Sequence, residues 1–183
     1  MKWRLSVWSS SLLVTRAPRA VILIRVLVGW VFVSEGIQKF LFPAALGAGR
    51  FEQIGIPLHE VMGPFVGTVE IVFGSLILLG VLTRLATIPL LISMTVAVLS
   101  TKIPILLGHG YWHFTLPKLS QYGLWSMLHE ARTDFSMILG LLFLLIVGGG
   151  PWSVDTIIAR AFSNINSRAR AMQHEAGGPA SQH

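Results

Sequence analysis

Polar positions along the chain are gathered into clusters, and long apolar stretches separate them. Residues 20–42 are apolar apart from Arg25, Ser34, Glu35, Gln38 and Lys39. Residues 61–82 carry a single charge, Glu70, and residues 86–107 have Pro89 near the start and Lys102 and Pro104 near the end. Residues 135–147 are apolar apart from Ser136, and a full crossing there takes in Asp134 and a residue or two before it. A bilayer crossing needs about 20 mainly apolar residues. A soluble amphipathic helix would instead show a polar face at period 3.6. These segments are apolar all round, so the pattern predicts four transmembrane helices: an all-α, polytopic membrane four-helix bundle.

The connections are uneven. Residues 83–85 read as a tight turn, residues 43–60 as a loop rich in Gly and Pro, and residues 108–130 as a longer loop containing Tyr111, Trp112, Phe114, Tyr122 and Trp125. Three regions follow: a tail over 1–19, the transmembrane domain over 20–155, and a polar, partly disordered tail over 156–183. The opening MKWRLSVW has the charge of a signal-peptide start, but its apolar stretch is short and broken by Ser9, Ser10 and Ser11, so a cytoplasmic N-terminal tail is expected. Orientation follows from Lys and Arg. Lys2, Arg4, Arg16, Arg19, Arg84, Arg160, Arg168 and Arg170 fall on one side, and Arg50, Lys102, Lys118 and Arg132 on the other. Both termini are therefore expected in the cytoplasm, in the plasma membrane of a prokaryote.

Composition sharpens this picture. Only 12% of residues are charged and 53% are hydrophobic, against roughly 25% charged in a soluble domain. The net charge of +6 is spent on topology, so the lipid bilayer and not nucleic acid is the expected partner. The chain has no cysteine, which excludes disulfides, thiolate nucleophiles and dithiol redox chemistry. No span contains a histidine, which argues against a buried bis-His haem. His109 and His113 are four apart, but Gly108 and Gly110 flank the first, so no metal site is expected and the loop reads as an interfacial aromatic belt.

Ionisable residues inside a span are costly and point to function. Six stand in or at the ends of the spans: Arg25, Lys39 and Arg84 against Glu35, Glu70 and Asp134, a balance that suggests ion pairing. By helical rise, Glu35 lies about 10 Å and Glu70 about 13 Å below the outer edge. Asp134 opens the last span and Lys39 is shallower. Arg25 lies in the inner half and reaches Glu70 only at full extension. Arg25, Gly29, Phe32, Gly36 and Lys39 share one stripe of the first helix, with Glu35 on its shoulder; Gly63, Gly67, Glu70 and Gly74 repeat the pattern on the second. Glycines on such stripes let backbones approach closely. Two readings stand. In one, the glycines and charges form a packing seam. In the other, Arg25, Glu35, Gln38, Lys39, Glu70 and Asp134 line an outward-opening polar pocket for a small polar or quinone-like ligand.

Three motifs then carry a resemblance: Arg25-x3-Gly29-x2-Phe32-x3-Gly36-x2-Lys39-Phe40, then Gly67-x2-Glu70-x3-Gly74 running to Gly80 and Thr83-Arg84, then Gly148-Gly149-Gly150-Pro151-Trp152-Ser153-Val154-Asp155. In this order the chain resembles the DoxX family of small four-helix membrane proteins over residues 20–155, with Asp134 matching the acidic residue that opens the last helix. The resemblance implies a membrane component of a redox system, in an accessory or quinone-contacting role with an oxidoreductase partner. With no cofactor motif in the chain, electrons would be carried by a quinone or by that partner. A transporter using the acidic pocket and a purely structural anchor are the rival expectations.

Overall fold

The computed structural model describes residues 18–161 and 163, so the expected tails over 1–17 and beyond 163 lie outside the described residues. The described residues are helical, with only an isolated bridge between Tyr111 and Phe114. Helix α1 spans Val21–Leu41, the short α2 Ala48–Gln53, and α3 His59–Leu79. Helix α4 spans Thr83–Ala97 and continues through a π-helical turn, Val98–Lys102, into α5, Ile103–Leu107. Then come α6, Leu124–Glu130, and α7, Arg132–Val147, with a further helix starting at residue 154. Among the described residues, three helices are long and apolar enough to cross a membrane: Val21–Leu41, His59–Leu79 and Thr83–Leu107. Helix α7 has 16 residues, about 24 Å of rise, and packs beside them.

The long helices run alternately up and down. α1 pairs with α3, α3 with α4, α4 with α7, and α7 touches α1. The core sits where they meet and holds Val28, Phe32, Ile77, Leu90, Leu141 and Leu144, all buried. Large apolar side chains also cover the perimeter, among them Leu23, Trp30, Phe65, Ile92 and Ile146. Water would not tolerate such a surface, but lipid tails do.

Local chemistry sets the boundaries. α3 ends at Gly80, whose φ of 72° is left-handed. The Val81 amide donates to Leu76 and the Gly80 amide to Ile77, the paired bonds of a Schellman stop. The third long helix then starts at Thr83, so the turn lies at 80–82 and Arg84 belongs to the helix, not to a turn over 83–85. The loop over 43–60 contains α2, packed so closely on α3 that a Cβ at Gly63 would lie 2.7 Å from the Ala48 nitrogen. In the third long helix, Pro104 has no amide to give. The Ile103 amide reaches back five residues to Val98, the winding of a π turn. That leaves the Leu99 carbonyl outside the ladder, and the Tyr111 hydroxyl donates to it at 2.7 Å.

Candidate functional site

The charged residues inside the bundle form two centres at opposite ends. At the Lys39 end, α1 and α3 approach closely: a Cβ at Gly36 would lie 2.6 Å from the Gly67 carbonyl oxygen, and one at Gly29 2.9 Å from that of Gly74. This contact lets Lys39 reach across, and its Nζ stands 2.6 Å from Glu70 Oε2 with both side chains about nine-tenths buried. The same ammonium is 4.0 Å from Glu35 Oε2, and the Glu35 side chain is 54% exposed. One cation therefore faces two carboxylates, and its short contact goes to the buried one. Nearby, Lys102 Nζ lies 3.2 Å from Asp134 Oδ2 and ties the π turn to the start of α7. Arg132 instead donates to the His129 carbonyl.

Gln38 stays on its own helix, donating to the Ser34 carbonyl at 3.2 Å. Gly63 packs against α2 and not in the α1–α3 contact. Two loops fold over this end. The Thr115 amide donates to the Ile54 carbonyl at 3.2 Å, its hydroxyl to the Gln53 carbonyl, and the Gly123 amide to Ile105 at 2.9 Å. His109 and His113 sit in this irregular segment, where spacing of four does not put them on one helix face.

Arg25 stands apart from this cluster. It lies ten residues, about 15 Å of rise, from Glu35, and does not reach Glu70. Its guanidinium is spent on backbone oxygens: Nε donates to Ile77 at 3.0 Å, Nη2 to Leu78 at 2.6 Å, and Nη1 to Gly149 at 2.9 Å and Trp152 at 3.0 Å. Two of these are carbonyls in the last turn of α3, where an α-helix runs short of amide donors. The carboxylate that acts on its charge is that of Asp155. The Asp155 carboxylate accepts from the amides of Leu82 at 2.7 Å and Thr83 at 3.1 Å, capping the start of α4. Leu82 has φ 46°, a left-handed geometry uncommon for a branched residue, and the cap holds it there. Ser153 closes the knot by donating to the Gly150 carbonyl at 2.7 Å and accepting from the Thr156 amide at 3.2 Å. A Cβ at Gly80 would lie 2.6 Å from the Ser153 Cβ. Asp155, Ser153 and Thr83 are missing from the sequence-derived site, although all stand in the motifs that carried the resemblance. The available signal was an acidic residue just beyond a span, facing a helix start that has no acid of its own.

The arrangement thus separates a structural clamp at the Arg25 end from a polar centre at the Lys39 end. Placing an ionised carboxylate deep in hydrocarbon costs about 2.5–3.5 kcal/mol on insertion scales. Pairing offsets this for Glu70 and Asp134 more than for the half-exposed Glu35. Among the described residues, no group of three His, Asp or Glu side chains is placed to hold a metal ion.

The comparisons agree with this architecture. The DoxX family profile matches residues 20–103. An uncharacterized membrane protein of Mycobacterium tuberculosis is 49% identical over 157 residues, spanning 86% of this chain and 92% of the relative. No solved structure matches. The apolar helices, the paired charges between them and these two likenesses make the chain an integral membrane protein that belongs to the DoxX family.

Proposed function

We propose that this protein is an accessory subunit of a membrane redox system in the plasma membrane, crossing it four times with both termini in the cytoplasm. The observation that carries the reading is where the intramembrane charges go. Lys39 and Glu70 hold α1 to α3, Lys102 and Asp134 hold the third long helix to α7, and Arg25 with Asp155 clamps the opposite end. Groups committed to short internal contacts in this way stabilise a scaffold better than they serve turnover. With no thiol in the chain, electrons are left to a quinone or to a partner enzyme. Glu35 favours contact with a quinone or a partner at the Lys39 end, because it is half exposed beside an ammonium whose short contact is elsewhere.

The test is affinity purification from native membranes in mild detergent, with mass spectrometry of proteins and lipids. A stoichiometric oxidoreductase, with quinone enriched over bulk lipid, is the expected result. Recovery of the chain alone, with quinone at bulk proportion, overturns the reading. Proton-coupled solute uptake lost in Glu70→Gln would put a transporter in its place.

A further inference from the structure

The lipid-facing surface of α1 is apolar almost throughout. Leu23, Val26, Leu27 and Trp30 are exposed towards one end, and Ile37, Phe40 and Leu41 towards the other, with Phe42 just beyond. The hydrocarbon zone therefore extends past Glu35, which sits six residues before Leu41, about 9 Å from the helix end. One flank breaks the pattern. Ser34 and Gln38 are partly exposed and Glu35 is exposed. Lower down, the same side of α1 is met by α7, where a Cβ at Gly140 would lie 2.5 Å from Val28 Cγ2. Towards the Lys39 end α7 turns its charge to the third long helix through Asp134 and Lys102.

This flank is negative and rich in acceptors. The Ser34 hydroxyl donates to the Val31 carbonyl at 2.9 Å, and Gln38 Nε2 donates to the Ser34 carbonyl. Each side chain still has an oxygen able to accept. Lys39 gives its short contact to Glu70 and stays 4.0 Å from Glu35.

We propose that the Ser34–Glu35–Gln38 flank docks a transmembrane helix of a partner subunit that carries a Lys or Arg at the depth of Glu35. The cation makes a short ion pair with the Glu35 carboxylate and hydrogen-bonds the neighbouring oxygens. Charge selects a different chain over a second copy of this one, because Lys39, Lys102 and Arg25 are each engaged inside their own bundle, Arg84 donates to the Ile146 carbonyl, and Arg132 opens α7 above the depth of Glu35 with its guanidinium on the His129 carbonyl. Depth selects a helix over a lipid headgroup, whose cation stays at the interface.

The inference rests on the accessory-subunit reading, and its test separates the two. The full chain, fluorescently labelled, is reconstituted in phosphatidylcholine vesicles with two synthetic Leu-rich transmembrane peptides that differ only by one Arg about 9 Å from one end of the hydrocarbon span. Energy transfer should show the Arg peptide associating at least tenfold more tightly. Glu35→Gln should reduce that preference below twofold, and Glu35→Asp should keep most of it. Ser34→Trp should block association by bulk alone, which covers the case that Glu35→Gln fails to fold, and Val72→Trp on α3 should change nothing. Equal association of both peptides with the unaltered chain overturns the inference. So does an undiminished preference in Glu35→Gln, and so does self-association of labelled copies that excludes the Arg peptide. A failed peptide result alongside a copurified oxidoreductase refutes only the flank. Peptide binding with no redox enzyme in native membranes refutes only the redox role.

Discussion

Glu70 and Glu35 share one lysine and differ in what surrounds them, so their substitutions should differ too. Glu70→Ala leaves the Lys39 ammonium buried without its short partner, a loss of about 3–5 kcal/mol. Glu52→Ala in the short α2 should cost within about 0.5 kcal/mol. Thermal unfolding in detergent compares them directly, and equal midpoints would mean that the Lys39–Glu70 contact contributes nothing. Asp155→Ala removes a helix cap worth about 0.5–2 kcal/mol and a carboxylate that acts on the Arg25 charge, so its loss should exceed that of a cap alone; Asp155→Asn should recover part of it. The sequence exposed Glu35, Lys39 and Glu70 because helical spacing puts charges on faces and at depths that can be counted. It did not expose where Arg25 goes, because its partners are backbone carbonyls, which every residue carries and no side-chain pattern marks. Its distance from Glu35 and Lys39 along the helix was legible and its partners were not.

At the scale of elements, the glycine stripes were readable for the same reason that the charges were: steps of three and four recur on one face. Their consequence is close contact between α1 and α3, and Gly36→Leu should force these helices apart, since even a Cβ there meets the Gly67 carbonyl oxygen at 2.6 Å. Overpacking of this kind costs about 1–3 kcal/mol, and Lys39 should lose its reach to Glu70. Accelerated hydrogen exchange along both helices would report the separation, whereas exchange unchanged from the parent chain would mean that the seam tolerates bulk. The π turn was only half legible. Pro104 signals a broken ladder, but the hydroxyl that takes up the Leu99 carbonyl comes from a loop twelve residues on. Tyr111→Phe should therefore cost about 1 kcal/mol and loosen the aromatic loop, read as faster proteolysis near residues 108–123. The short α2 was not anticipated, because a six-residue helix is fixed by what it packs on rather than by its own periodicity.

At the scale of the whole molecule, the proposed four crossings with cytoplasmic ends make a definite expectation for reporter fusions. Fusions in the 80–82 turn and after residue 160 should report the cytoplasm, and fusions near residues 50 and 115 the outside; a cytoplasmic signal at 115 removes the arrangement. The Arg25 clamp adds a consequence in time. Its first two acceptors lie 52 and 53 residues ahead, and Gly149 and Trp152 lie 124 and 127 ahead. At about 5–20 residues per second of synthesis, the first helix spends several seconds to tens of seconds with a guanidinium that has nothing in its own span to bind. During that interval Arg25 should stay near the membrane interface at its own end, with the helix settling towards full depth as the partner carbonyls of Ile77, Leu78, Gly149 and Trp152 arrive. The 148–155 motif should thus complete the fold that the first helix begins. A chain truncated after residue 147 and released should contain every apolar segment and yet be recognised by membrane quality control as unfinished, read as faster degradation than the full chain.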